Sequence, residues 1–126
     1  MRVPFAAQDS PQVIVRLAGP RESVETVALV DTGASVMMLS RELAERLGHD
    51  VADAETIPIH TANGVVEVLH FELTEVAIGE AGVQGVEAVC PVTDDTDRSV
   101  LVGLSFLRHF VVTLDFKRGF LVLEDH

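Results

Sequence analysis

Apolar residues recur at every second position over long parts of this chain. In "PQVIVRLAGPRESVETVALV", Val13, Val15 and Leu17 alternate with polar or smaller residues, Gly19-Pro20 interrupts, and the pattern resumes from Val24 to Val30. That pattern predicts a strand, a turn and a strand. "SRELAERLG" has a different period. Leu43 and Leu47 share one face, Ser40 suits the N-cap and Gly48 the C′ position, so a short helix is predicted. "TIPIHTANGVVEVLHFEL" sets Asn63-Gly64 between apolar-rich flanks. A type I′ hairpin is expected there, with positive φ at both residues. Leu69, Phe71 and Leu73 then alternate with His70, Glu72 and Thr74, and the phase slips so that Val76 and Ile78 become the apolar positions. A bulge or bend at Thr74-Glu75 is the expected cause.

Further on, "GEAGVQG" reads as a turn region, "VEAVCPV" as a strand and "DDTDRS" as a polar loop. "VLVGLSFLRHF" starts as a buried strand, pivots at Gly103 and continues as a helical turn or two. "VVTLDF", "KRG" and "FLVLE" make a closing hairpin. The sum is a mostly β chain with one or two short helices, expected to form a closed or partly closed β-barrel. One domain over residues 1–126 suits the length.

Composition sharpens this picture. The chain is 48% apolar, with no Trp or Tyr and six Phe, so Val and Leu must build the core. A net charge of −11 argues against nucleic-acid partners and against anionic membrane surfaces. No apolar run approaches a membrane span, and "MRVPFAAQDS" lacks the apolar stretch of a signal peptide, so a cytoplasmic location is the expectation. Cys90 is the one cysteine, which excludes an intrachain disulfide and suits a small buried hydrophobe. The five His residues show neither H-x₃-H nor H-E-x-x-H spacing, so no metal site is expected.

One polar residue stands out against its surroundings. In "VALVDTGASVMMLS", Asp31 interrupts a segment that is otherwise apolar or small. An ionised carboxylate in such a place is costly unless hydrogen-bonded or paired. Asp31 is a helix N-cap, a plain turn residue, or a functional carboxylate in a tight loop between buried strands. The first reading is weakened because Ser40 opens the nearest helix. Gly33 allows a close backbone approach and offers an N–H to the carboxylate.

The segment resembles the active-site loop of the retroviral-like (retropepsin-type) aspartic proteases, in which apolar residues precede Asp-Thr/Ser-Gly-Ala/Ser. "VLVGLSFLRHF" resembles the apolar-apolar-Gly strand and short helix of that family, and "HTANGVVEV" sits where the family places its flap hairpin. These elements span Val27 to Phe110, and the look is closest to bacterial single-domain members.

The resemblance implies a retropepsin-like barrel and an aspartic endopeptidase with Asp31 as its catalytic residue. Thr32, Gly33 and Ala34 would support the loop, with Thr32 hydrogen-bonding across a two-fold axis. Ala62, Asn63, Gly64 and Val65 would form the flap, and Leu101, Val102 and Gly103 a strand behind the site. No cofactor is implied. Such enzymes use two carboxylates sharing a proton about a water. This chain has one Asp-Thr-Gly, so the second must come from a second copy, which makes a homodimer acting on a peptide or protein. "RVPF" and "FLVLEDH" are the expected dimer strands. The alternative is a peptide-binding or dimerisation module that keeps the barrel and cleaves little or nothing.

Overall fold

The computed structural model describes residues 1–6, 10–92 and 100–125. The "DDTDRS" loop lies outside them. Among the described residues, ten strands form two sheets. β2 (Gln12–Ala18) and β3 (Ser23–Val30) are the alternating pair, antiparallel from Gln12↔Leu29 to Ala18↔Ser23. Val13, Val15 and Leu17 point into the core at 3% exposure or less, which is the period-2 pattern realised on one face. β3 runs parallel to β8 (Val100–Val102). β8 meets the two-residue β4 (Met37–Met38), and β4 pairs in parallel with β7 (Ala81–Pro91). β7 is antiparallel to the long β6 (Gly64–Ile78), and β6 returns to β2 through Arg16↔Ala77 and Leu17↔Val76.

That last pairing closes a six-stranded barrel. Arg16 and Glu75 form an ion pair of 2.7 Å across the seam. Exposed as it is, the pair contributes about 0–1 kcal/mol, so closure rests on the ladder and on Leu17 and Val76, both fully buried. β5 (Glu55–Thr61) hangs on the outside of β6 as the end strand of the sheet. The two chain ends form a separate small sheet. β1 (Arg2–Pro4) pairs with β10 (Phe120–Glu124), which pairs with β9 (Val111–Asp115).

The helices are short. α1 (Arg41–Arg46) is capped by the Ser40 hydroxyl, which accepts from Leu43 N–H at 3.1 Å. It ends at Gly48 with φ of +102°, the positive value a C′ glycine supplies. A 3₁₀ turn, Val51–Asp53, follows and has no counterpart in the sequence pattern. α2 (Leu104–Leu107) carries Phe106 into the core, where it is fully buried. Cys90 is also buried, and burial pushes its thiol up to about 11. Among the described residues, no helix is long and apolar enough to cross a membrane.

Two local expectations need correction, and a third is met in part. The β5–β6 hairpin exists, but Ala62 and Asn63 form its turn and neither has positive φ. The positive φ, +111°, belongs to Gly64 alone, so the turn is not type I′. A glycine just after the turn supplies the positive φ instead. The phase slip along β6 carries no extra residue, since β6 and β7 keep one register on both sides of it, but the ladder lacks the Thr74↔Gly85 pair, so the bend falls where the slip is. Val76, Ala77 and Ile78 are all buried, so the strand becomes two-sided where the barrel closes. The local kink lies on β7, at Gly85 with φ of +67°. Lastly, "GEAGVQG" is mostly strand. The turn is only Gly79-Glu80, and β7 begins at Ala81.

His49, just beyond α1, stacks on Phe71 with ring centroids 4.6 Å apart, and its Nε2 is buried without a partner. Burial lowers its pKa below the ordinary 6.5. The unfolded chain therefore binds a proton that the folded one resists, and stability falls as pH drops below about 6.5. Urea unfolding from pH 7.5 to 5 should show this slope. In His49→Gln the slope should be shallower, because that group no longer titrates.

Candidate active site

The Asp31 loop begins where β3 leaves the barrel. Val30 is buried opposite Val102, and the next amide, Asp31 N–H, donates to the Val102 carbonyl at 2.9 Å. The chain then turns, with Ala34 N–H donating to the Asp31 carbonyl at 3.2 Å. Gly33 N–H donates to Asp31 Oδ1 at 2.9 Å, which fixes the carboxylate plane. A Cβ on Gly33 would stand 3.1 Å from that oxygen, so glycine here keeps the carboxylate uncrowded.

A second segment holds the loop from behind. Leu104 N–H donates to the Ala34 carbonyl at 2.8 Å. Gly103 lies so close that a Cβ would fall 2.3 Å from the Val36 oxygen and 2.7 Å from the Ala34 oxygen. Both are backbone atoms and cannot swing away. Its φ of −100° is open to any residue, so Gly103 is required by space rather than by conformation.

A cleft of about 470 Å³ opens in front of the loop. Asp31, Gly33 and Ala34 line it together with Leu101, whose neighbour across the strands is Met38. Val102 and Gly103 stand behind the loop and do not line the cleft. Thr32 is exposed and outside the lining, as are Ala62, Asn63, Gly64 and Val65 at the hairpin tip. The hairpin reaches the cleft through its other arm, with Pro58, Ile59 and His60 of β5. Ser35, Val36 and Met38 complete the wall. The sequence does not single out these six residues. Their available signal was adjacency, since three follow Ala34 closely and three precede the Asn63 turn. Apart from Asp31, His60 is the one ionisable side chain in the lining. A larger groove of about 640 Å³ lies between β1 and the outer face of β2 and β3, and it lacks the carboxylate loop.

Comparison with known proteins decides what this architecture is. Residues 21–109 match the family model described as "gag-polyprotein putative aspartyl protease". The chain belongs to this family. The match to the aspartyl protease family covers the Asp31 loop, the β5–β6 hairpin and the Gly103 segment together. The fold also matches the crystal structure of a retropepsin-like aspartic protease from Rickettsia conorii, with a TM-score of 0.72 over 98% of this chain and 88% of that one. At 24% identity that likeness speaks for the retropepsin-like fold. An uncharacterised protein in the cobV 5′ region of Sinorhizobium sp. is 39% identical over 80 residues. That stretch is 63% of this chain, which spans about a third of the relative's length, 34%.

The close approach at Gly103 carries a prediction for this retropepsin-like barrel. Gly103→Ala should cost about 1–3 kcal/mol or more, because the added methyl meets fixed carbonyls. Chemical denaturation should show the loss as a lower midpoint at an unchanged slope. Leu104→Ala, at a half-exposed neighbour, should cost much less.

Proposed function

We propose that this protein is an aspartic endopeptidase working as a two-fold dimer, with one Asp31 from each subunit forming the catalytic dyad. The observation that carries the reading is the Asp31 carboxylate, held by Gly33 N–H at the floor of a mostly apolar cleft. One such carboxylate cannot run the reaction alone, and the chain holds one Asp-Thr-Gly. The half-buried Asp31 and the exposed Thr32 leave this corner of the loop open to a second copy.

The chemistry then follows from two carboxylates sharing one proton. The ionised Asp31 takes a proton from a water as the water oxygen bonds to the scissile carbonyl carbon. The protonated Asp31 of the other subunit gives its proton to the carbonyl oxygen, making a gem-diol. A proton then passes to the amide nitrogen, the C–N bond breaks, and an acid and an amine leave. Water and peptide are the only reactants.

Val36, Met38, Ile59 and Leu101 suit apolar side chains beside the scissile bond. β5 is the end strand of its sheet, so an extended peptide has a free edge along which to lay main-chain hydrogen bonds. The hairpin tip, Ala62 to Val65, would close over the bound peptide as a flap. β10 lies between β1 and β9, so a second copy would meet the terminal sheet at the edges of β1 and β9.

Incubation with a diverse peptide library at several pH values, read by mass spectrometry, tests this reading, with sedimentation run at the same concentrations. Cleavage should follow a bell on the acidic side of neutral, because one carboxylate must be ionised and one protonated. Asp31→Asn should remove nearly all cleavage while leaving fold and dimer intact. Undiminished cleavage by Asp31→Asn, or cleavage by a strict monomer, would end the proposal. Peptide binding with no cleavage by the wild type would make the protein a binding module of the same fold.

A further inference from the structure

We propose that Ser105 is a positioning residue for Asp31, an inference that rests on the aspartic-protease reading for its kinetic part alone. Ser105 is one of two buried polar side chains among the described residues, at 6% exposure. The other, Ser40, caps a helix. The Ser105 hydroxyl does something different. It accepts from Met37 N–H at 3.0 Å and donates to the Glu87 carbonyl at 2.8 Å. Its single proton and an acceptor lone pair are both engaged, each with a backbone group.

Those two backbone groups belong together for a reason of register. β4 and β7 run parallel with Met37↔Ala88 and Met38↔Val89. In a parallel ladder the amide of one residue bonds to the carbonyl just before its partner. The next rung is made that way, with Leu39 N–H on the Val89 carbonyl at 3.1 Å. By the same rule the first rung would join Met37 N–H to the Glu87 carbonyl. Ser105 engages both groups of that rung through its hydroxyl. The side chain from α2 thus wedges the start of β4 against β7, at the residue where the Asp31 loop ends.

The consequence reaches Asp31 because the loop is short and held at its other points by rigid partners. Asp31 N–H is fixed to Val102 and the Ala34 carbonyl to Leu104 N–H, both in the segment that carries Ser105. Segment 102–105 therefore sets the entrance, the middle and the exit of the loop. Without the hydroxyl, β4 closes toward β7 to remake the rung directly, or leaves two buried backbone groups unpaired. Either change shifts the loop, and with it the Gly33 N–H that orients the carboxylate. Ser105 touches neither substrate nor reacting atoms, so its effect is on geometry.

The test compares Ser105→Ala, Ser105→Cys and Ser105→Thr with the wild type in the full chain. Amide NMR reads the Gly33 and Ala34 resonances and their exchange rates against the β2 amides. Peptide kinetics separate kcat from KM. Ser105→Ala should move the Gly33 and Ala34 amides while β2 stays in place. It should also lower kcat about 10- to 100-fold with KM nearly unchanged, the signature of misaligned reacting groups. Ser105→Thr, which keeps the hydroxyl, should restore both readouts. If Ser105→Ala does not fold, Ser105→Cys, close in size but a poor hydrogen-bonding group, should give the same two signatures. In Ser105→Ala or Ser105→Cys, a Gly33 amide that stays put, a change spread evenly through the barrel, or a wild-type kcat would overturn the proposal. A wild type that cleaves nothing ends the protease reading, and the Gly33 amide still decides whether Ser105 positions the loop.

Discussion

The proposed active site hangs on the contact between the Asp31 loop and the segment running from Val102 to Ser105. Three hydrogen bonds cross it, from Asp31 N–H, Leu104 N–H and Met37 N–H. Each contributes only about 1 kcal/mol net. All three depend on a close approach, because a side chain at Gly103 would drive a carbon into two backbone carbonyls. The contact is therefore decided by an absence, the missing Cβ, and the hydrogen bonds follow once the backbones can approach. The same approach explains why strands distant in sequence share one barrel. β3 and β8 lie parallel there, and β4 threads between β8 and β7.

Much of this was legible in the sequence where a residue type has one physical reason to be where it is. The alternation of Val13, Val15 and Leu17 gave β2, because a one-residue slip would put all three in water. Ser40 and Gly48 bounded α1 by cap chemistry. Asp31 stood out because burying a charge is costly, and Gly103 because it broke a buried strand. Legibility failed where the cause lay across the fold. Burial on both faces of β6 looks in sequence like a phase slip. The positive φ at Gly85 falls opposite Thr74, where the β6–β7 ladder lacks a pair, and the hairpin turn moved one residue from the Asn63-Gly64 pair. Cleft residues on β5 carry no local mark, since Pro58, Ile59 and His60 matter only once the hairpin is laid beside Asp31. Ser105 has no sequence signal at all, because its partners lie 68 and 18 residues away.

The chain's strong negative charge bears on the site less than its magnitude implies. Charges at the surface are screened within about 8–10 Å at ordinary ionic strength. The cleft itself carries few ionisable groups and a mostly apolar wall. In the proposed dimer a second Asp31 carboxylate would share its proton with the first in these surroundings, and that pairing is what would make the site reactive. On the function proposed above, dimerisation and catalysis are one requirement, met at one axis.

That requirement is tested most directly by mixing subunits. Wild-type chains and Asp31→Asn chains are refolded together in varied ratios at constant total concentration, and peptide cleavage is measured for each mixture. If each active centre needs an Asp31 from both subunits, activity falls as the square of the wild-type fraction, so an equal mixture retains about one quarter. Activity that falls in direct proportion to the wild-type fraction would mean that one Asp31 suffices, and would contradict the shared dyad.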